Sequence, residues 1–332
     1  MYHRETLDGQ QLEERRMAGK VEGKVAIVTG AARGVGRCIA LLMAEHGAKV
    51  VIADNGSQVD GSGSSNEPAQ KVVDEITAAG GEAMAVACDV SSWDDAKALI
   101  DATVEKWGKL DILVNVAGNF RVNTIASITR DDWNALRAVH MDGMMHTSHF
   151  AALHWKDRGE YGRLINFTSD SAMSGVPDTF GYAAAKGAVV SMTRAIANAM
   201  INYNVTANCM TQASMTRMAD SYYPASDVKP SEAAPPDQRP DTVAPLVLYL
   251  ASPEAAGISG RIFGSYGYKY IRWSEPRHEK TLHSRDNGPW DVDYVFEHFA
   301  ATLAEGLDLK KDLPWAMESL DQAAGTADIS DL

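Results

Sequence analysis

Cysteine is scarce in this 332-residue chain, with only Cys38, Cys88 and Cys209. They lie far apart and show no Cys-x-x-Cys spacing, which points to reduced, buried residues of a cytoplasmic protein. Positive charge is also in short supply. Thirty-one Lys and Arg stand against 44 Asp and Glu, and the net charge of −13 argues against nucleic acid or an anionic membrane surface as partner. That balance leaves room for a local basic pocket and an anionic small molecule. No apolar run reaches membrane-spanning length, and the first residues carry acids early with no apolar signal region. Repeats of 20–50 residues and extensive low-complexity tracts are missing too.

What is present is a core and a rhythm. Hydrophobic residues make up 45% of the chain. Short apolar runs at 25–29, 49–53, 82–87, 111–114, 162–167 and 205–209, with a last one at 261–264, read as strands. Helical stretches at 34–47, 67–79, 92–107, 131–155 and 180–203 alternate with them. Near-continuous apolar strands separated by helices predict a parallel sheet covered on both faces, a single doubly wound α/β domain of Rossmann type. Residues 1–22 are polar and read as an arm, and 23–267 as the catalytic domain. Residues 268–332 form an aromatic extension, with Trp273, Trp290, Tyr294, Phe296, Phe299 and Trp315, that packs on the domain or on a neighbouring subunit. Two further segments break the rhythm. A Gly/Ser loop spans 55–66, and a Met-, Tyr- and Pro-rich stretch at 211–240 stands where a substrate flap is expected.

The run Val25-Ala26-Ile27-Val28 leads into Thr29-Gly30-Ala31-Ala32-Arg33-Gly34-Val35-Gly36. Glycines at 30, 34 and 36 permit a tight turn and close approach of backbone N–H groups to a pyrophosphate, at the start of a helix whose dipole favours an anion. Asp54 ends the second strand, where a carboxylate accepts from ribose hydroxyls and repels a 2′-phosphate. The cofactor reading is therefore NAD, with Arg33 in the turn as a counter-signal for a phosphate and an ordinary turn residue as the bland alternative for Asp54. Asp89, with Val90 beside it, is placed to meet the adenine. Asn115-Val116-Ala117-Gly118 offers a close backbone approach on the adenosine side, or, through Asn115, a tie between strands.

Tyr182 and Lys186 are spaced i, i+4 on a predicted helix, so phenol and ammonium share one face, and Ser169 lies thirteen residues upstream. A phosphate cradle followed by this trio describes nicotinamide-dependent alcohol/ketone chemistry. In it Tyr182 exchanges the proton, Lys186 and the positively charged ring favour phenolate, and Ser169 holds the substrate oxygen.

These motifs in this order resemble the short-chain dehydrogenase/reductase family over about residues 20–265. The loop after Asp54 and the segment 272–277 look like the branch holding the dehydrogenase domain of multifunctional β-oxidation enzymes. That branch implies NAD-dependent oxidation of 3-hydroxyacyl-CoA thioesters or 17β-hydroxysteroids. A terpenoid or small cyclic alcohol and a non-catalytic NAD-binding regulator are the alternatives. The resemblance also implies that Lys186 binds the nicotinamide ribose and Thr216 the carboxamide. Helices 131–155 and 180–203 would form a four-helix interface in a homotetramer or homodimer.

Three places depart from the family pattern. His140 stands where an asparagine usually supports a proton relay, either joining that relay with a near-neutral pKa or filling space. Thr211-Gln212 replaces a Pro-Gly turn. Residues 264–268 end the last strand unusually. Metal binding is not expected, although His146 and His149 are spaced i, i+3. The methionines and tyrosines Met210, Met215, Met218, Tyr222 and Tyr223 either line an apolar pocket or pack under the flap.

Overall fold

The computed structural model describes residues 19–222 and 228–308. The expected arm, Tyr223 and Trp315 lie outside them, in whole or nearly so. Strands β1 (Val25–Thr29), β2 (Lys49–Ala53), β3 (Glu82–Val86), β4 (Ile112–Asn115), β5 (Gly162–Phe167), β6 (Val205–Gln212), β7 (Ile262–Tyr266) and β8 (Lys269–Arg272) form one sheet in the order β3-β2-β1-β4-β5-β6-β7-β8. All pairings are parallel except β7–β8. The order reverses between β1 and β4, and it is outside the C-terminal ends of strands at such a switch point that open α/β sheets bind ligands.

Helices α1 (Gly34–Glu45), α2 (Glu67–Ala78), α3 (Trp93–Trp107), α4 (Arg130–Arg137), α5 (Met144–Arg158), α6 (Ser171–Ser174), α7 (Phe180–Met200), α8 (Arg217–Tyr222), α9 (Ala244–Ala251) and α10 (Val292–His298) follow. β1 and β4 are wholly buried, as their uninterrupted apolar sequences require. One buried cluster, with Ile39, Met43, Val72 and Val247, covers one face of the sheet. A second, with Leu99, Leu113, Trp155 and Leu164, covers the other.

Three details differ from the sequence reading. The helix expected over 131–155 is interrupted by a π-helical turn, Ala138–Gly143, between α4 and α5. Its widened turn brings His140 into the core, and Gly143 fits there because a Cβ would stand 2.7 Å from Val90 Cγ2. β6 runs on through Thr211 and Gln212, which pair with Gly264 and Ser265, so the flap begins after residue 212. The sheet continues past residue 267 into β8, which reading by apolar runs does not reveal because its residues are Lys, Tyr, Ile and Arg. The extension is joined to the domain by Glu275, which pairs with Arg194 (2.8 Å) and Arg261 (3.3 Å), and no described side chain from 276 to 308 is buried in the single chain.

Candidate active site

At the C-terminal ends of β1, β2, β4 and β5 lies a cavity of about 680 Å³. Its floor is the glycine turn. Gly30 adopts φ +67°, and a Cβ on it would lie 2.8 Å from Ala117 Cα. At Gly36 a Cβ would lie 2.2 Å from the Gly30 carbonyl oxygen. Only bare backbone fits at these two points. Helix α1 begins here with no side-chain cap at Arg33, so its first N–H groups face the cavity uncommitted to a side chain.

Asp54 lines the same space. Its Oδ2 accepts from the Ala32 N–H at 2.9 Å and its Oδ1 from the Gly56 N–H at 2.6 Å, so one carboxylate braces the glycine turn against the following loop. The Arg33 guanidinium reaches the Ser57 carbonyl at 3.4 Å. Asp89 and Val90 form the far wall, with Asp89 Oδ1 accepting from the Ser91 backbone and hydroxyl at 3.0 and 2.7 Å. Ala117, Gly118 and Thr216 also line the cavity, but Asn115 does not. The Asn115 amide donates to Asn166 (2.9 Å) and its oxygen accepts from Thr147 (2.9 Å), which makes it a tie between β4, β5 and α5.

Tyr182 and Lys186, on one face of α7, close the other end. The ammonium donates to the Phe167 carbonyl at 2.7 Å and sits 5.6 Å from the Tyr182 ring centroid. Burial pushes Lys186 down to about 7. The Tyr182 phenol is driven upward by burial and, secondarily, by the charge of Asp170, while a hydrogen bond with Ser169 acts in the opposite sense. Desolvation thus opposes the phenolate.

His140 is fully buried. Its Nε2 bonds the Asn119 carbonyl at 2.8 Å, its ring meets Tyr182 edge-on at 5.2 Å, and Nδ1 has no partner. Because Nε2 faces a carbonyl it carries the proton, leaving Nδ1 a bare acceptor. Burial and the Lys186 charge hold the imidazole well below its ordinary pKa, which corrects the near-neutral value expected from sequence.

Sequence reasoning did not single out Phe120 or Asp178, and it gave Tyr222 and the loop 55–66 no specific contact. Phe120, two residues beyond Gly118, packs edge-on to Tyr182 at 5.0 Å and meets Tyr222 at 5.9 Å. Tyr222, on flap helix α8, donates to the buried carboxylate of Asp178 at 3.0 Å. The loop 55–66 folds over the cavity, with the Phe120 N–H donating to the Val59 carbonyl at 3.1 Å and Arg121 reaching the Asp60 carbonyl at 3.1 Å. The glycine-rich composition of that loop was the one available signal. Among the flap methionines, Met215 and Met218 line the cavity and Met210 is buried in β6. His146 and His149 pack on Trp93, and among the described residues no group of three or more metal-ligating side chains gathers.

A family model described as enoyl-(acyl carrier protein) reductase matches residues 30–265. A solved short-chain dehydrogenase from Mycobacterium avium superposes with a TM-score of 0.75 at 36% identity, covering 87% of this chain and 98% of that one. The chain belongs to the short-chain dehydrogenase/reductase family. Within the family it is 38% identical to the hydroxyacyl-CoA dehydrogenase ChsB1 of Mycobacterium tuberculosis over 283 residues, 82% of this chain and 86% of that protein. It is 36% identical to the peroxisomal multifunctional enzyme type 2 of Drosophila melanogaster over 70% of this chain, spanning 37% of that longer enzyme. Carveol dehydrogenase from Mycobacterium avium, solved with NAD, superposes with a TM-score of 0.67 at 25% identity over 74% of this chain and 97% of that one. Among the described residues no helix is long and apolar enough to cross a membrane.

Proposed function

We propose that this short-chain dehydrogenase/reductase is a cytoplasmic, NAD-dependent dehydrogenase that oxidises a secondary alcohol on a bulky apolar substrate, a 3-hydroxyacyl-CoA thioester or a hydroxysteroid. The observation that carries the reading is one cavity with a bare-backbone phosphate cradle at one end and the Tyr182–Lys186 pair at the other. Residues Gly30, Arg33, Gly34, Val35 and Gly36 would hold the pyrophosphate, Asp54 the adenosine ribose, Asp89 and Val90 the adenine, with Ala117 and Gly118 close beside the adenosine. Lys186 would hold the nicotinamide ribose and Thr216 the carboxamide. Asn115 contributes indirectly, by fixing the strand ends. Bound NAD supplies the hydride acceptor and a positive charge.

The chain's own residues handle the proton. Ser169 holds the substrate oxygen, and Tyr182 takes its proton as the carbon gives up hydride. Since burial opposes the phenolate, Tyr182 becomes a base only when positive charge enters the cavity, which confines proton abstraction to the loaded enzyme. His140 Nδ1, an acceptor with no protein partner, supports a proton relay by accepting from water, without itself changing charge. Phe120, Val122, Met218 and Tyr222 form an apolar wall behind Tyr182 that reaches the cavity at Met218, which suits an acyl chain or steroid. The named relatives that act on hydroxyacyl-CoA support the same class. That wall also suits a terpenoid alcohol, the reading favoured by the carveol dehydrogenase likeness.

Exposed Trp93, Met145 and Leu153 on α3 and α5 support an assembly of copies, a homodimer or homotetramer, with the extension packing on its own domain or on a neighbour. Light scattering at micromolar concentration checks this, and a monomer rejects it. The activity test is NADH formation from 3-hydroxyacyl-CoA, hydroxysteroid and terpenoid alcohols, each with NAD and NADP. Turnover of the first two with NAD is expected. Activity with terpenoid alcohols alone moves the substrate class, and cofactor binding without any turnover leaves a regulator.

A further inference from the structure

Asp170 directly follows Ser169, and its side chain occupies a place where a carboxylate is costly. It is 9% exposed, and no cationic side chain is among the groups that act on it. Three residues that sequence reading treated as departures from the family pattern, or as part of the tail, converge on it instead. An indole nitrogen can only donate, so Trp273 Nε1–H points at Thr211 Oγ1, 3.2 Å away. Thr211 lies 2.9 Å from the Tyr266 hydroxyl, and Tyr266 donates to Asp170 Oδ1. With the Tyr266 hydrogen committed to Asp170, the Thr211 hydroxyl is the donor to Tyr266, so the chain of donors ends on the Asp170 carboxyl.

The arrangement is sterically enforced. A Cβ at Gly264 would lie 2.5 Å from Tyr266 Cε2 and 2.7 Å from Thr211 Oγ1, so the glycine is the space into which ring and hydroxyl fit. The other end of Asp170 is equally fixed, its carbonyl accepting from Met173 N (2.8 Å), Ser174 N (2.8 Å) and Ser174 Oγ (2.9 Å).

We propose that Asp170 is a positioning residue for the Ser169–Tyr182 pair, held by the Trp273–Thr211–Tyr266 chain, so that β8 and the start of the C-terminal extension take part in the reaction through it. The proposal rests on Tyr182 being the acid/base. The turn carrying Ser169 cannot rotate without withdrawing Asp170 from Tyr266. The Asp170 charge opposes ionisation of Tyr182, and the other titratable groups facing this cluster are few. Lys186 and Tyr182 come from α7 and Cys209 from β6. On the β7–β8 hairpin stand Tyr266 and Lys269, the latter 5.9 Å from the Tyr266 ring centroid.

The test uses NAD-saturated, full-length protein and two readouts. One is the pH profile of kcat/KM for alcohol oxidation. The other is ultraviolet titration of Tyr182, isolated by difference against Tyr182→Phe. Asp170→Asn should move the Tyr182 ionisation to lower pH by roughly one unit. Loosening Ser169 should lower kcat about ten- to a hundredfold while KM for NAD stays within about twofold. Tyr266→Phe and Thr211→Val should lower kcat the same way by less, because they loosen Asp170 without removing its charge. Asp170→Glu restores the charge and should recover part of the shift.

Circular dichroism checks folding, and if Asp170→Asn fails to fold, the two hydroxyl variants carry the decision. Profiles and titrations that superimpose on the wild type in folded variants overturn the proposal. An unmodified protein that oxidises no alcohol overturns the functional reading, while the Tyr182 titration still decides this one.

Discussion

On the β1–β4 side the cavity wall is largely main chain, whereas on the β5–β7 side and across the flap it is side chain. The glycine turn, the uncapped start of α1 and the Ala117-Gly118 approach present peptide groups whose positions follow from φ and ψ. Opposite them Tyr182 lines the cavity, with Phe120 and Tyr222 packed behind its ring and Tyr266 and Thr211 in the hydroxyl chain beyond, and the partners are 50 to 100 residues apart in sequence for several of these contacts. A surface of peptide groups tolerates few residues at each position and recognises a constant ligand. One made of side chains can be re-cut for a new substrate without disturbing the sheet.

The largest expected break falls on the side-chain half. Tyr182→Phe should reduce turnover by about 10²–10⁴-fold while leaving NAD affinity nearly unchanged, as read by steady-state kinetics and calorimetry. An equal loss of cofactor binding would mean that the two halves are not separable. On the main-chain half, Gly36→Ala forces a methyl against the Gly30 carbonyl and should cost about 1–3 kcal/mol of stability together with most NAD affinity. Thermal melts with and without NAD check both effects.

His140 sits between the halves and sharpens the contrast. His140→Ala should lower turnover, by less than Tyr182→Phe does, and an equal or greater loss would reject a supporting role. It also carries a stability signature. Its folded pKa lies below the unfolded value of about 6.5, so unfolding takes up a proton in acid. The stability it contributes is complete above that pH and is lost as pH falls, at up to about 1.4 kcal/mol per pH unit. His140→Leu should flatten this acid limb in melts between roughly pH 4 and 7. The smallest effect is expected of Tyr222→Phe, which removes one hydroxyl from Asp178 and should change KM for substrate a few-fold with kcat held. A larger change in kcat would place the flap in the chemistry.

The same contrast explains what the sequence made legible. Strands β1 to β5 and the helices beside the glycine turn could be read because apolar runs and glycine spacing are local properties. Asp54 was legible as a strand-end carboxylate, though not its bonds to Ala32 and Gly56. The π turn at Ala138–Gly143 was hidden because an added residue in a helix leaves no compositional mark. Continuation of β6 through Thr211-Gln212 and the polar strand β8 were hidden because their pairing is decided by distant partners. Asp170 gave no signal of its own, since its meaning lies in Tyr266, ninety-six residues on.

Strand β8 has a further consequence. Every parallel strand in this sheet is reached by a long crossover, while β8 follows β7 through a tight hairpin at Gly267-Tyr268. Its exposed residues are Lys269, Tyr270 and Arg272. Without it the outermost strand would be Ile262-Phe263-Gly264-Ser265-Tyr266, an uncharged edge able to pair with the same strand of another molecule. The hairpin therefore acts as a hem, finishing the sheet with charge where an apolar border would invite aggregation. A chain cut after Gly267 would lose solubility before it lost its glycine turn.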